Sequence, residues 1–524
     1  MAEHISRRNF VSSTAAGALF AGTLPVVIAE DRDHLHSLLV RRCCGGNFVL
    51  LAISSWLSRC GAIRHNLASL PSSLSPSGVA AMQPSLFRLS CCVLLLALKA
   101  AAITSALHAA EGAFSVKVVT DRENAIYRVG EEATFLISVT QENGQAADGT
   151  IRFVVDDFRT GGTAAGLPQG IVTPGAEPAR VVVKGRGPEF LRCQVTYTPD
   201  EGKAVRAIAG AAFAPEKIGL SLPVPDDFDA FWAEQKRLLA EVPLDPKLTS
   251  VETRSESIVS FDVQVSCTGG APVSGYFSKP KAAASQSLPI VLWVHGAGVR
   301  GSSLGNSQKG AQAGFLSMDI NAHGSPNGKP GSFYSELSKG PLNNYRYAGR
   351  EGRDTIYFRG MYLRLVRAID FLTAQPEWDG KTVVVVGHSQ GGGQSLVAGG
   401  IDDRVTLIAS GVPAICDHSG ESAGRVNGWP KLVPNGADGK PDPKIQLAAR
   451  YVDAVCFATR CKAEAIMSVG FIDSVCPPSS CFAAYNALRG KKSVINEPLM
   501  GHAAPKHIQD AFWARILEHA KRSR

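Results

Sequence analysis

The sequence predicts an α/β domain, a mostly parallel sheet with helices on both faces, preceded by a small all-β immunoglobulin-like sandwich. Three observations carry this reading. Short apolar runs at 289–294, 315–320, 382–386, 405–410, 465–472 and 493–496 are interleaved with helical stretches, the alternation that crossover-linked parallel strands require. From about 112 to 215 the texture is different, with short β-branched or alternating runs, turn signals and no helical period. Finally, the apolar run Thr382-Val383-Val384-Val385-Val386 ends in Gly387-His388-Ser389-Gln390-Gly391, a strand turning sharply into a helix.

Residues 1–110 read as an export region. Ser6-Arg7-Arg8-Asn9-Phe10-Val11 followed by Ala15-Ala16-Gly17-Ala18-Leu19-Phe20 resembles a twin-arginine signal. Residues 30–81 are rich in Arg and Ser and sustain no period. Met82 then opens a second signal-like unit, with Arg88, the run Cys91-Cys92-Val93-Leu94-Leu95-Leu96-Ala97-Leu98, and small residues up to Ala110. Two signals are redundant, so 1–81 reads as an extended gene start with translation beginning at Met82. Either start predicts export, to the periplasm or outside the cell. The apolar run is too short for a membrane span, so no stable membrane anchor is expected, with a membrane-anchored protein as the alternative reading.

Residues 111–215 form the predicted sandwich. Its strands are Phe114-Ser115-Val116-Lys117-Val118-Val119, Ala133 to Val139, Ile151 to Val155, Arg180 to Val183 and Leu191 to Tyr197, parted by turns such as Glu142-Asn143-Gly144. No aromatic platform shows, so the unit reads as a spacer, with dimerisation or weak glycan binding as alternatives.

Residues 216–524 form the α/β domain, long enough for one large core. Its clearest helix covers about 353–374, where Ile356, Tyr362, Leu365, Val366, Ile369 and Leu372 recur near a 3.6-residue period. The Gly- and Pro-rich segment 418–450 reads as an insertion, either a rim of the pocket or a bystander loop. At the corner, Ser389 is expected to stand out of the sheet on a strained turn beside helix N–H groups, the arrangement of a nucleophile elbow. Its flanking glycines leave room for helix to pack on strand.

A nucleophilic serine needs a histidine and a carboxylate after it, each on a loop following a strand. Three histidines follow in range, His418, His502 and His507. His502 is chosen because Met500-Gly501-His502-Ala503-Ala504 follows the extended segment 493–496 and precedes the last helix. His507 lies within that helix, and His418 comes too early. The carboxylates Asp402, Asp403, Asp417, Asp438, Asp442, Asp453, Glu464 and Asp473 all compete for the third role. Asp473 closes the buried run 465–472, where it can reach the imidazole and fix its tautomer; the others fall in loops or helices. For the oxyanion hole, one N–H comes from Gln390, just after the serine. The other is assigned to Ala297, with Gly296 as the next choice, in the turn His295-Gly296-Ala297-Gly298, which ends the run Pro289-Ile290-Val291-Leu292-Trp293-Val294.

These motifs, together with Tyr357-Phe358-Arg359-Gly360-Met361-Tyr362-Leu363, Ala368-Ile369-Asp370-Phe371-Leu372, Val412-Pro413-Ala414-Ile415-Cys416-Asp417 and Gly470-Phe471-Ile472-Asp473-Ser474-Val475-Cys476-Pro477-Pro478-Ser479-Ser480, resemble the acetylxylan esterase / cephalosporin C deacetylase family. Asp229-Ala230-Phe231-Trp232 fits that family's opening helix, and the resemblance covers about 220–520. It implies an α/β-hydrolase fold and a secreted serine esterase that removes acetyl groups from acetylated xylan, xylo-oligosaccharides or related small sugars through an acetyl-enzyme. It also implies the same triad and oxyanion pair. One segment departs. The family's Arg-Gly-Gln motif is replaced after Phe315-Leu316-Ser317-Met318-Asp319-Ile320 by Asn321-Ala322-His323-Gly324, leaving His323 as a pocket-lining or structural residue and the substrate range and assembly open.

Charge excludes a nucleic-acid binder. The chain carries +8, but residues 1–110 hold nine Lys/Arg against four Asp/Glu, and the remaining 45 and 42 leave only +3. Seven of the 12 cysteines follow residue 110 without a Cys-x-x-Cys pair, so no metal site is read and disulfide pairing is undetermined. No cofactor is expected, and homo-oligomerisation stays open. The competing functions are a broader carboxylesterase or feruloyl esterase, a serine peptidase of the prolyl-oligopeptidase type, and a catalytically silent binding protein. The upstream unit is too small for the peptidase's propeller, and all three triad members are present.

Overall fold

The computed structural model describes residues 114–141, 147–159, 166–200, 202–253 and 255–523. All fall within one compact unit, 96–524. The export signals expected in 1–110 lie outside the described residues.

Among the described residues eight strands come first: β1 (Phe114–Thr120), β2 (Ile126–Tyr127), β3 (Glu132–Gln141), β4 (Thr150–Asp156), β5 (Gln169–Val172), β6 (Ala179–Lys184), β7 (Glu189–Thr198) and β8 (Val205–Phe213). They form a three-stranded sheet, β1-β3-β6, and a five-stranded sheet, β2-β8-β7-β4-β5. Every pair is antiparallel except the short parallel pair β2–β8. Side chains alternate across a strand, and the inward set from both sheets shares one core: Phe135, Ile137, Val181 and Val183 with Leu191, Cys193, Val195 and Tyr197. On β7, Phe190 belongs instead to the core of the following sheet.

That sheet has nine strands: β9 (Lys247–Val251), β10 (Ile258–Val265), β11 (Val273–Pro280), β12 (Leu288–Val294), β13 (Leu316–Ile320), β14 (Trp378–His388), β15 (Leu407–Gly411), β16 (Glu464–Gly470) and β17 (Lys492–Glu497). Their order is β17-β16-β15-β14-β12-β13-β11-β10-β9. From β13 to β17 all pairs are parallel, whereas β9, β10 and β11 add an antiparallel edge that the sequence reading had not identified.

Both faces of the sheet are covered, which is why its central strands are apolar throughout. Ile290, Leu292, Val383 and Val385 pack with the helices Phe228–Ala240, Tyr357–Thr373 and Gln390–Ile401. Val291, Val384, Val386, Leu407 and Ile466 pack with Ile508, Phe512 and Ile516 of the helix Lys506–Ser523. The helix Tyr357–Thr373 buries the periodic residues Tyr362, Leu365, Val366, Ile369 and Leu372, and Arg364 with them. The Arg364 guanidinium donates to the Ala322 carbonyl at 2.7 and 3.2 Å, so a buried charge is satisfied by the loop after β13.

No helix among the described residues is long and apolar enough to cross a membrane. The seven described cysteines are free and buried.

Candidate active site

The strand β14 ends at His388, and the helix Gln390–Ile401 begins one residue after Ser389. Ser389 sits between them at φ 59° and ψ −123°, a strained conformation that a serine adopts only where its surroundings enforce it. Its N–H donates to the Gly411 carbonyl at 2.9 Å, and its carbonyl accepts from Gly393 and Ala414 N–H at 3.0 and 2.9 Å. A Cβ on Gly387 or Gly391 would overlap the Val294 carbonyl oxygen, so the glycines let the helix close against β12.

The structure brings the three predicted side chains together. His502 Nε2 lies 2.9 Å from Ser389 Oγ, and His502 Nδ1 lies 2.8 Å from Asp473 Oδ2. The carboxylate accepts, so Nδ1 carries the proton and the neutral ring leaves Nε2 to accept from the serine hydroxyl. Asp473 is fully buried. Its Oδ1 accepts from Val475 and Cys476 N–H at 2.8 and 2.9 Å, which turns Oδ2 toward the histidine. Five of the other candidate carboxylates have structural tasks. Asp402 pairs with Arg404, Asp417 with Arg425, and Glu464 with Arg515 and Arg522. Asp442 caps the helix Pro443–Arg450, while Asp453 accepts from Asp417 and His418 N–H. His507 pairs with Glu497, and His418 is buried.

The turn predicted for the oxyanion hole lies against the serine. A Cβ on Gly296 would stand 3.5 Å from Ser389 Cβ and 3.3 Å from the His388 carbonyl. Gln390 opens its helix, so its N–H is among the first-turn donors that lack an intrahelical acceptor.

Sequence reasoning missed Arg300 and Tyr345 among the residues that brace this turn. Arg300 donates to the Gly296 and Ala297 carbonyls at 3.2 and 3.3 Å. His295 Nδ1 donates to Gly296 O at 2.6 Å, while its Nε2 accepts from Ala322 N–H at 3.1 Å. That pattern demands a neutral ring, and burial pushes the His295 pKa down to about 3. His323, expected as pocket-lining or structural, donates from Nε2 to Gly298 O at 3.1 Å and accepts at Nδ1 from Tyr357 Oη at 2.7 Å. Burial also pushes its pKa down to about 4. Tyr345 packs edge-on against His323 at 4.6 Å and donates to Gln390 Oε1 at 2.6 Å. This cluster therefore ties the turn to the residue after the serine.

Among the described residues, donor atoms of Asp473, Cys476 and His502 lie within 4.8 Å of one another. Burial pushes the Cys476 thiol well up, and the carboxylate and imidazole already satisfy each other, so the trio reads as a hydrogen-bonded dyad with a neutral thiol beside it.

Residues 220–519 match the family Acetyl xylan esterase (AXE1). The chain belongs to that family, and with it to the carboxylic ester hydrolases. It is 31% identical over 294 residues to the acetyl esterase Axe7A of Xylanibacter ruminicola, a match spanning 55% of this chain and 66%, just under two thirds, of that relative. Among solved structures, the acetyl xylan esterase from Paenibacillus sp. R4 is 28% identical with a TM-score of 0.50, covering 58% of this chain and 98% of its own. Acetyl xylan esterase 1 from Thermoanaerobacterium sp. JW/SL YS485 is 26% identical at the same TM-score, covering 58% and 96%. The family match begins just after β8, so the β-rich unit lies outside it.

Proposed function

We propose that this protein is an exported serine esterase that deacetylates acetylated xylan, xylo-oligosaccharides or related small acetylated sugars. The supporting observation is the continuous hydrogen-bond chain Ser389–His502–Asp473 in a member of the acetyl xylan esterase family. Ser389 Oγ attacks the acetyl carbonyl carbon while His502 Nε2 takes its proton. Asp473 holds the Nδ1–H and stabilises the imidazolium. Ala297 and Gln390 N–H groups receive the negative oxygen, each contributing about 3 kcal/mol by analogy with known oxyanion donors. His502 then protonates the departing sugar oxygen, leaving an acetyl-serine. Water, deprotonated by the same histidine, releases acetate and restores Ser389. We read 111–215 as an immunoglobulin-like sandwich preceding a catalytic domain at 216–524, and 1–110 as the export region.

The test is acetate release from acetylated xylo-oligosaccharides, run beside Ser389→Ala and a p-nitrophenyl ester series from acetyl to butyryl. Fast acetate release with a sharp fall beyond acetyl supports the deacetylase reading. Broad acyl tolerance with little sugar deacetylation would move the protein to the general carboxylesterases.

A further inference from the structure

We propose that the β-rich unit is a positioning element for the active site, through Phe190 and Gly210, which set the two loops carrying Asp473 and His502. The inference rests on the triad proposed above and replaces the spacer role read from the sequence.

The geometry is specific to these loops. On β7, Leu191, Cys193, Val195 and Tyr197 point into the unit's own core, whereas Phe190 faces the other way. Its ring meets Phe471 edge-on at 5.1 Å and Phe482 at 5.4 Å. All three rings are buried, and Phe471 is two residues before Asp473. On β8, Gly210 N–H donates to the Pro498 carbonyl at 3.0 Å, four residues before His502. A Cβ on Gly210 would stand 2.6 Å from both the Phe471 Cβ and its carbonyl oxygen. The two loops are also tied to each other, Phe471 N–H to Glu497 O at 2.9 Å and Ile472 N–H to Met500 O at 3.2 Å. Ser389 is held separately, by Gly411, Gly393 and Ala414. Force applied through the β-rich unit therefore reaches the acid and the base, while the nucleophile keeps its own support. A misplacement of about 1 Å in such a constellation costs about 100-fold in rate.

The test uses the full chain with p-nitrophenyl acetate. Phe190→Ala is expected to lower kcat about 10- to 100-fold with KM within about twofold of the parent, and Phe190→Leu to restore most of it. Val195→Ala, a cavity in the unit's own core, is expected to lower Tm without lowering kcat. In an Asp473→Asn background Phe190→Ala should cost little more, because its effect runs through that carboxylate. The downfield proton resonance of the His502–Asp473 hydrogen bond, present in the parent, should broaden or vanish in Phe190→Ala. Unchanged kcat and resonance in folded Phe190→Ala, or a loss that persists undiminished in Asp473→Asn, would overturn the proposal. Activity retained by Ser389→Ala would instead bring down the proposed mechanism, and the proton resonance would still judge the positioning role.

Discussion

His323 Nε2 donates to the Gly298 carbonyl at 3.1 Å, so the loop after β13 holds the turn after β12 from behind. The neighbouring carbonyls of Gly296 and Ala297 are held by Arg300. With three consecutive carbonyls bonded to side chains, the peptide planes are fixed. In the oxyanion hole proposed above, donors preorganised in this way would need no reorganisation as charge develops.

Removing this bracing should cost rate more than affinity. Arg300→Ala and His323→Ala are each expected to lower kcat about 10-fold on p-nitrophenyl acetate, with KM nearly unchanged. Steady-state kinetics checks this, and a rise in KM at constant kcat would assign both residues to substrate binding.

Asp473→Asn keeps an acceptor for the Val475 and Cys476 N–H groups but loses the charge that fixes the histidine tautomer. We expect a folded protein with kcat reduced by roughly 10³- to 10⁴-fold. Near-full activity would show that another carboxylate serves the histidine.

Gly391→Ala should destabilise by about 2–4 kcal/mol, because its Cβ overlaps the Val294 carbonyl and must push the helix off β12. Gly331, with no atom within 4 Å of a built Cβ, is the control, and Gly331→Ala should be close to neutral. Urea unfolding of both variants compares them directly.

His323 also makes stability depend on pH. Burial is the main cause of its pKa falling to about 4 from 6.5, and the Arg364 and Arg300 charges add to it; Tyr345, Tyr357 and His295 complete its surroundings. Between these values the unfolded chain binds a proton that the native state refuses, so this contribution is present above pH 6.5 and is lost as pH falls toward 4. His323→Gln should therefore lose less stability on acidification, by up to about 1.4 kcal/mol per pH unit. Denaturation series at several pH values measure the difference; parallel curves would contradict a neutral buried His323.

The parts of this architecture that were legible in the sequence have local signatures. The β-branched run ending at Val386, the glycines around Ser389, and Asp473 at the end of an apolar run each mark their place in the fold within a few residues. The edge strands β9 to β11 were missed, although Ile258, Val263 and Val265 are buried, because polar and charged residues dilute the pattern. Tyr345 and Tyr357 act on Gln390 and His323, residues distant in sequence, and nothing local marks such contacts. Phe190 shows the same limit. Strand alternation places it opposite Leu191, but only the fold reveals that its outer face meets Phe471.

In the proposed mechanism Ser389 carries the acetyl group between sugar and water. Rapidly quenched full-length enzyme, taken during turnover of an acetyl ester and analysed by peptide mass spectrometry, tests it most directly. An acetyl adduct is expected on the peptide holding Gly387-His388-Ser389-Gln390-Gly391, absent in Ser389→Ala. An adduct on another residue, with acetate still released by Ser389→Ala, would contradict it.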